Sequence, residues 1–123
     1  MVKLLKVYAL KVLSKYLKYI KDNKKVFEVR LFREHYSLIK KGDVLILYDE
    51  FGNVVRAEVK DVHIYNSFEE LFKNIDYKKV IPFANSISEA LNEYKKIYGN
   101  NLNRNKVIAF KIKVIDYLWN NTW

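Results

Sequence analysis

The sequence predicts a single α+β domain built on a small, curved β-sheet or partial barrel. Two observations lead to this prediction. The candidate strands do not alternate regularly with the candidate helices, which is typical of an α+β domain. Within the segment 54–65, the apolar residues also change parity near Lys60-Asp61, as they do at a β-bulge. Because a bulge bends its strand, we expect the sheet to curl, and a length of 123 residues fits one domain.

The chain opens with a predicted strand and a predicted helix. Branched and aromatic residues over 4–10 indicate the strand, and Ser14 is a candidate N-cap for a helix that ends at Lys21. Asp22-Asn23 would stop this helix, because asparagine tolerates the left-handed conformation that often follows a helix. Three apolar residues repeat at helical spacing and are expected to face the core: Leu13, Leu17 and Ile20.

The next segments are predicted to be strands joined by turns. In "VFEVRLF", residues 26–32, strand alternation puts Glu28 and Arg30 on the face opposite to the apolar side chains. The unbroken apolar run over 44–48 is typical of a strand buried on both faces, and "DEFGN" would turn the chain into the strand over 54–65. The bulge in that strand would bring two apolar sets to the core: Val55, Ala57 and Val59, then Val62 and Ile64.

Two helices and a closing strand over 106–117 complete the predicted domain. Each helix is opened by a capping box, in which a glutamate follows a serine by three residues: Ser67 with Glu70, and Ser86 with Glu89. The second helix would end at Gly99. Its predicted apolar face consists of Ile87, Leu91, Tyr94 and Tyr98.

The positive charge of the chain is concentrated in its first third. Residues 1–41 carry twelve basic and three acidic side chains, the remaining residues carry eleven of each, and the net charge is +9. Such a field attracts phosphates, acidic protein surfaces or anionic membranes, while a lysine-rich solvated surface is the simpler interpretation. No stretch approaches the roughly 18 apolar residues of a membrane span, so no membrane partner is expected.

The sequence lacks the common catalytic signatures. It contains no cysteine, which removes thiol nucleophiles and cysteine metal ligands and fits a cytoplasmic protein. Lysines interrupt what would be the apolar region of a signal peptide, so the N-terminal segment is expected to be mature structure. Three glycines leave hardly any material for a phosphate loop. His35 and His63 are isolated, so we predict no metal ligand and no cofactor.

The stretch "NKKVFEVR", residues 23–30, is the strongest candidate for a site. Lys24 and Lys25 precede a strand on which Glu28 and Arg30 share one face, about 6 to 7 Å apart at the backbone. One interpretation of the pair is an exposed salt bridge, worth about 0 to 1 kcal/mol. The other is a site whose carboxylate orients a lysine or arginine, or accepts a hydrogen bond from a nucleobase amine. Spacing alone does not decide between them.

The same stretch resembles the signature of the ASCH family, written G-x-K-x-x-E-x-R. Lys25, Glu28 and Arg30 match its K, E and R. Asn23 stands where glycine is usual, and asparagine can adopt the same turn geometry. The resemblance to archaeal single-domain members continues through residues 3 to about 116 in a series of ordered segments: Gly42-Asp43, "YNSFEELF", "KVIPFANSISEALNEYKKIYG" and "VIAFKIKVI". We therefore expect one domain over 1–116.

The resemblance implies a fold similar to that of PUA domains, a small β-barrel flanked by helices, here about three, with the signature beside a cleft. It also implies that the protein binds RNA or handles nucleotides, and some members are enzymes. One bacterial branch hydrolyses acetylated cytidine with a threonine nucleophile at the position of Glu28. A carboxylate cannot replace that hydroxyl, so we do not expect this activity here. A ribonuclease or another hydrolase that uses Lys25 and Glu28 as acid and base is an alternative.

The leading hypothesis is a protein that binds RNA, a nucleotide or single-stranded nucleic acid. Its candidate binding residues lie in the signature and on the first helix: Lys24, Lys25, Glu28, Arg30, Lys15, Lys18 and Tyr16. The helix lysines would guide a phosphate backbone electrostatically, and the tyrosine would stack on bases or pack in the core. A protein-interaction module is a further alternative, because an aromatic tail over 117–123 contains Trp119 and Trp123, and tryptophans are common interface anchors.

Overall fold

A computed structural model describes residues 4–120, which form a five-stranded sheet with three α-helices. The strands are β1 (Val7–Lys11), β2 (Phe27–Leu31), β3 (Val44–Tyr48), β4 (Val54–Tyr65) and β5 (Val107–Leu118). The α-helices are α1 (Ser14–Lys21), α2 (Phe68–Asn74) and α3 (Ile87–Tyr98). Short 3₁₀ turns lie at Glu34–Leu38, Tyr77–Lys79 and Gly99–Asn101. The predicted α+β architecture with three helices is confirmed.

The sheet curls into a half-barrel with the strand order β1-β3-β4-β5-β2. β1 pairs in parallel with β3, and the other neighbouring strands pair antiparallel. β1 and β2 are therefore the two edge strands, and no ladder of backbone hydrogen bonds joins them within the described chain. α1 connects these two edges in sequence and packs against the three central strands. The opening of the half-barrel thus lies between β1 and β2.

The curl of the sheet depends on the two long strands, β4 and β5. Their pairing is interrupted by register shifts between Arg56 and Ala57 and between Val59 and Asp61. The second shift confirms the predicted bulge, and Val62 beyond it packs against the core. Ile64 does not, since 51% of its surface is exposed, so its predicted burial is wrong. Ile64 is the second-last residue of β4, and a restored parity does not guarantee burial so close to the end of a strand.

The start of α1 also differs from the prediction. The N-cap is Leu13, in an extended conformation with ψ 138°, and no side chain caps the helix there. Leu13 therefore precedes the helical face and is 52% exposed, whereas Leu17 and Ile20 are fully buried as predicted. The Ser14 side chain instead faces the carboxylate of Asp49 in the turn after β3 and helps to hold the pKa of that carboxyl below its ordinary value. The serine serves a contact between elements, which local spacing did not reveal.

Both predicted capping boxes are present. The Ser67 hydroxyl accepts from the Glu70 backbone N–H at 3.0 Å, and Ser86 accepts from Glu89 at 3.1 Å. In return, each glutamate carboxylate accepts from a backbone N–H, but this N–H belongs to the asparagine one residue before the serine and not to the serine itself. On the predicted apolar face of α3, Ile87 is exposed because it occupies the first turn, while the rest of that face is buried or half-buried.

The two ends of the sheet are more exposed than the sequence pattern predicts. In β3, Leu45 and Leu47 are fully buried, but Tyr48 at the strand end is exposed, so burial on both faces holds only for its first residues. β5 continues to Leu118, into the predicted tail. Trp119 is half-buried and packs against the domain's own core. Trp123 lies outside the described residues.

Asn23 provides the turn between α1 and the signature strand. Its φ of 60° is left-handed, as predicted, and it lets the N–H groups of both Lys24 and Lys25 donate to the Tyr19 carbonyl at 2.9 and 3.0 Å. For a residue with a Cβ this conformation costs roughly 1 to 2 kcal/mol, less for asparagine and least for glycine. The turn fixes where Lys25 enters the fold.

We expect Asn23→Ala to lower the free energy of unfolding by about 1 kcal/mol, while Asn23→Gly stays close to the wild type. Urea unfolding followed by circular dichroism measures the difference. Equal midpoints for the two variants would show that the left-handed turn does not limit stability.

Candidate functional site

The three signature side chains line one cleft of about 170 Å³ at the opening of the half-barrel. Lys25 comes from the loop after α1, and Glu28 and Arg30 come from one face of β2. The opposite wall is formed by α3, and Tyr16 of α1 lies at one side. We call this the signature cleft; its polar side chains are Lys11, Tyr16, Lys25, Glu28, Arg30, Tyr94 and Tyr98.

Arg30 is held on three sides. Its Nε and Nη2 donate to Glu28 Oε2 at 3.2 and 3.1 Å, and its Nη1 donates to the Tyr36 hydroxyl at 3.2 Å. Nη2 also donates to the carbonyl oxygen of Lys11, the last residue of β1. Because β2 and β1 are the free edges, the guanidinium bridges the opening of the half-barrel. Burial opposes the charge, but Glu28 and Tyr36 outweigh it and raise the pKa of Arg30 above its ordinary value, so it stays protonated.

Lys25 is a buried cation with only 2% of its surface exposed. Its Nζ donates to the Val80 carbonyl at 2.7 Å, lies 3.8 Å from Glu28 Oε1 and stands 5.5 Å from the centre of the Tyr16 ring. Burial lowers the pKa of Lys25 to about 8, although Glu28 opposes the shift; the charge of Arg30 adds to it. At neutral pH the amine is therefore mostly protonated, with an appreciable neutral fraction.

Three tyrosines surround these charges and stay neutral. Burial raises the pKa values of Tyr16, Tyr94 and Tyr98, and the nearby glutamates add to the effect. Tyr98 accepts a weak bond from the Leu31 N–H at 3.4 Å, and Tyr94 stacks on Phe68 with ring centres 4.3 Å apart. The cleft thus combines two buried or half-buried cations, Lys25 and Arg30, and one carboxylate with aromatic walls.

The carboxylate of Glu28 is divided between two tasks. Oε2 accepts both bonds from Arg30, whereas Oε1 lies beyond hydrogen-bond distance of Lys25 and has no other hydrogen-bond donor among residues 4–120. Oε1 and the Lys25 ammonium therefore offer an acceptor and a donor side by side, the pattern that a base edge or an amide presents in complement.

The other predicted binding residues lie outside this cleft. Lys24 and Lys18 are exposed and do not line it. Lys15 pairs with Glu93 at 2.6 Å, and Tyr16 donates to the same oxygen of Glu93 at 3.1 Å. Tyr16 both lines the cleft and belongs to the core.

Glu93, Tyr94 and Tyr98 were not predicted as site residues. All three are on α3, more than sixty positions after the signature, and helical periodicity marked the two tyrosines only as core. Glu93 follows Asn92 and precedes Tyr94 and a pair of lysines, Lys95 and Lys96, and this context gave no indication of burial. The contact to the Val80 carbonyl involves a backbone atom, for which a sequence pattern carries no information.

A metal centre and a membrane-spanning helix find no support in residues 4–120. No group of three or more His, Asp or Glu side chains there is arranged to hold a metal ion. No helix in this range is long and apolar enough to cross a bilayer. His35 packs on Tyr36, and His63 lies 3.2 Å from Asp61 at the surface.

Comparison with known families identifies the domain. The sequence profile of the ASCH domain matches residues 10–116, most of the chain. The chain belongs to the ASCH domain family. No protein with a curated function matches the sequence.

Solved structures are similar to this ASCH domain over most of its length. The archaeal hypothetical protein PH0355 is 30% identical, with a TM-score of 0.79 over 89% of this chain and 99% of that one. Protein PF0455 from Pyrococcus furiosus is 28% identical, with a TM-score of 0.71 over 90% and 99%. ASCH from Zymomonas mobilis shares the fold at 15% identity, with a TM-score of 0.62 over 85% and 65%.

The burial of Lys25 predicts an unusual dependence of stability on pH. Its pKa is 10.5 when unperturbed and about 8 in the fold, so between these values the unfolded chain binds more protons. The free energy of unfolding then rises with pH, and we expect Lys25 to add about 2 kcal/mol between pH 7 and 9.5. Urea unfolding across this range measures the gain, and Lys25→Met should lack it. The same slope in that variant would contradict the buried, destabilised charge.

Proposed function

We propose that this ASCH domain binds RNA or a nucleotide in the signature cleft. One observation carries the proposal: the cleft holds two buried or half-buried cations, Lys25 and Arg30, against a single carboxylate, Glu28. An unbalanced positive charge in a hollow shielded from water is costly for the fold, and an anionic ligand removes this cost. Phosphate is the anion that nucleotides supply.

The size of the cleft indicates that it encloses only part of a nucleotide, such as a base or a phosphate. Its volume of about 170 Å³ is below the roughly 300 to 1,000 Å³ of pockets that enclose drug-sized molecules. A base or a phosphate would enter, and the remainder would lie at the surface. The free Oε1 of Glu28 would accept from a base amine, while Lys25 donates to the neighbouring ring nitrogen or oxygen.

The surface near the cleft supports a longer nucleic acid as ligand. Lys15, Lys18 and Lys24 are exposed on α1 and in the loop that follows it. Exposed lysines attract a phosphate backbone without reading its sequence, and they increase the rate of encounter. The expectation that ASCH domains bind RNA agrees with this distribution.

We expect short single-stranded RNA to bind with an affinity that falls roughly 10- to 100-fold between 50 and 200 mM salt, because lysine–phosphate contacts release counterions. Arg30→Ala should weaken binding at least tenfold, since a half-buried charge–phosphate contact is worth more than about 1.4 kcal/mol. Fluorescence anisotropy with labelled RNA measures both.

The matched control is Arg56→Ala. Arg56 is also an arginine on a strand paired with a carboxylate, Asp116, but it is exposed and does not line the cleft. Circular dichroism must show that both variants are folded. Equal affinities for the two variants, or an absence of RNA and nucleotide binding by the wild type, would overturn the proposal.

A hydrolase acting on RNA or a nucleoside is the second candidate, favoured by the pKa of about 8 at Lys25 beside Glu28. An amine with this pKa can accept a proton near neutral pH. We expect any turnover to rise with pH until about 8 and then level off, as the neutral amine forms. Chromatography of a panel of RNAs and modified nucleosides detects the products.

Activity of this kind must disappear in both Lys25→Met and Glu28→Gln. Lys73→Met, which alters an exposed lysine of α2, is the control and should retain it. Turnover that survives in either cleft variant would exclude these two residues as its acid and base.

A further inference from the structure

A second hollow of about 460 Å³ lies beside the signature cleft. It is formed by the start and the middle of α3 together with Phe83, and we call it the Phe83 hollow; its charged and aromatic side chains are Phe83, Glu89, Glu93, Lys95 and Lys96. It is larger than the signature cleft and open at the surface, and the proposed function does not use it.

The two hollows share a thin wall. Tyr16 lines the signature cleft, Glu93 lines the Phe83 hollow, and a hydrogen bond of 3.1 Å joins the tyrosine hydroxyl to the carboxylate. The Lys25 ammonium lies 5.5 Å from the centre of the Tyr16 ring, which in turn stacks on Phe83 with ring centres 6.0 Å apart and planes 9° from parallel. One aromatic side chain thus separates the buried cation of the cleft from Phe83.

Phe83 is a fixed and accessible ring. Tyr16 and Tyr19 pack against it, with ring centres 6.0 and 5.7 Å away, yet 36% of its surface is exposed and lines the hollow. A phenylalanine held in place by two tyrosines loses little entropy when a flat ligand packs on it. Proteins that bind single-stranded nucleic acid use such rings as stacking platforms for bases.

Two lysines and two glutamates line the hollow, but both carboxylates are already occupied by hydrogen-bond donors. Glu93 is nearly buried and accepts bonds from Lys15 at 2.6 Å, Lys96 at 3.0 Å and Tyr16. Burial alone would raise the pKa of Glu93, but these bonds outweigh it and hold the pKa below its ordinary value, so it is a paired anion. Glu89 accepts a bond from the Asn85 N–H at the start of α3. Lys15, Lys95 and Lys96 remain exposed for phosphates.

We propose that the Phe83 hollow is a second nucleotide subsite, which takes the base adjacent to the one in the signature cleft along a single-stranded nucleic acid. This inference rests on the proposed function. The base packs on Phe83, and Lys95 and Lys96 contact the flanking phosphates. The Tyr16–Glu93 pair stands between two consecutive nucleotides.

The test compares a nucleoside monophosphate, which reaches only the cleft, with single-stranded RNA of six nucleotides. In the wild type the hexamer should bind at least tenfold more tightly than the monophosphate. Phe83→Leu keeps apolar volume beside the two tyrosines but removes the ring, and should weaken hexamer binding about 5- to 50-fold, as expected for one lost stack. Its affinity for the monophosphate should stay within twofold of the wild type.

Two further variants separate stacking from charge. Lys95→Gln should weaken the hexamer severalfold and reduce the salt dependence of its binding. The controls are Phe51→Leu and Lys73→Gln, which alter an exposed phenylalanine and an exposed lysine that line neither hollow. Both should bind the two ligands as the wild type does.

The outcomes distinguish the subsite from the cleft. If the monophosphate binds but the hexamer binds no more tightly, or if Phe83→Leu affects the hexamer no more than Phe51→Leu, the second subsite is wrong and the cleft proposal stands. If neither ligand binds the wild type, both proposals fail. A loss of monophosphate binding in Phe83→Leu as large as the loss of hexamer binding would also overturn the subsite, because it would mean that the ring only supports Tyr16.

Discussion

The interaction on which the rest of this fold depends is the one that Arg30 makes across the opening of the half-barrel. A curled sheet of five strands has two edges, and here they are β1 and β2, which share no backbone ladder in the described chain. The Arg30 guanidinium on β2 reaches the last carbonyl of β1 while it also binds Glu28 and Tyr36. A buried ion pair stabilises a fold only when its hydrogen-bonding groups are satisfied, and the guanidinium of this pair meets that condition because all three of its nitrogens donate. The residue that closes the barrel is therefore also a wall of the cleft, and binding and architecture share one side chain.

Lys25 has the opposite effect on the fold: the contacts of Arg30 stabilise the domain, whereas the burial of the Lys25 charge destabilises it. An apolar side chain at this position would avoid the desolvation that brings its pKa to about 8. The backbone nevertheless holds this lysine in place. The left-handed turn at Asn23 directs its side chain inward, and the carbonyl of Val80, 55 residues later, accepts a hydrogen bond from its ammonium. Local features that cost stability and are held by distant parts of the chain are typical of functional sites. The arrangement is hard to explain as a solvated charged face.

Sequence reasoning predicted what depends on neighbours in the chain and missed what depends on neighbours in space. The caps at Ser67 and Ser86, the turn at Asn23 and the bulge after Val59 are each encoded within a few residues, and all are observed. The incorrect burials, at Leu13, Ile64 and Ile87, lie at or near the ends of elements, where periodicity continues but the packing partner does not. The α3 wall of the cleft shows the same limit, since Tyr94 and Tyr98 have an ordinary apolar spacing and only the fold brings them to Glu28. The bulge and the order of elements predicted a curved α+β sheet, the resemblance to a family agreed with it, and the alternation of β2 placed Glu28 and Arg30 on one face.

The two oxygens of the Glu28 carboxylate differ in their contacts, since Oε2 is bonded to Arg30 and Oε1 is open to a ligand. This difference favours binding over catalysis as the main function of the cleft. A general acid or base must exchange its proton during the reaction, and a neighbouring group must be free to follow the change. Here Oε2 is fixed by two bonds from a guanidinium that stays protonated, and Arg30 is itself fixed by the opposite edge of the barrel. A reaction step that separated Glu28 from Arg30 would leave that half-buried cation without its partner, and breaking a buried pair in this way costs several kcal/mol. A ligand that places an amine at Oε1 and an anion near Lys25 disturbs none of these bonds. The geometry is thus already organised for recognition, whereas proton transfer through Glu28 would work against the interaction that holds the barrel closed.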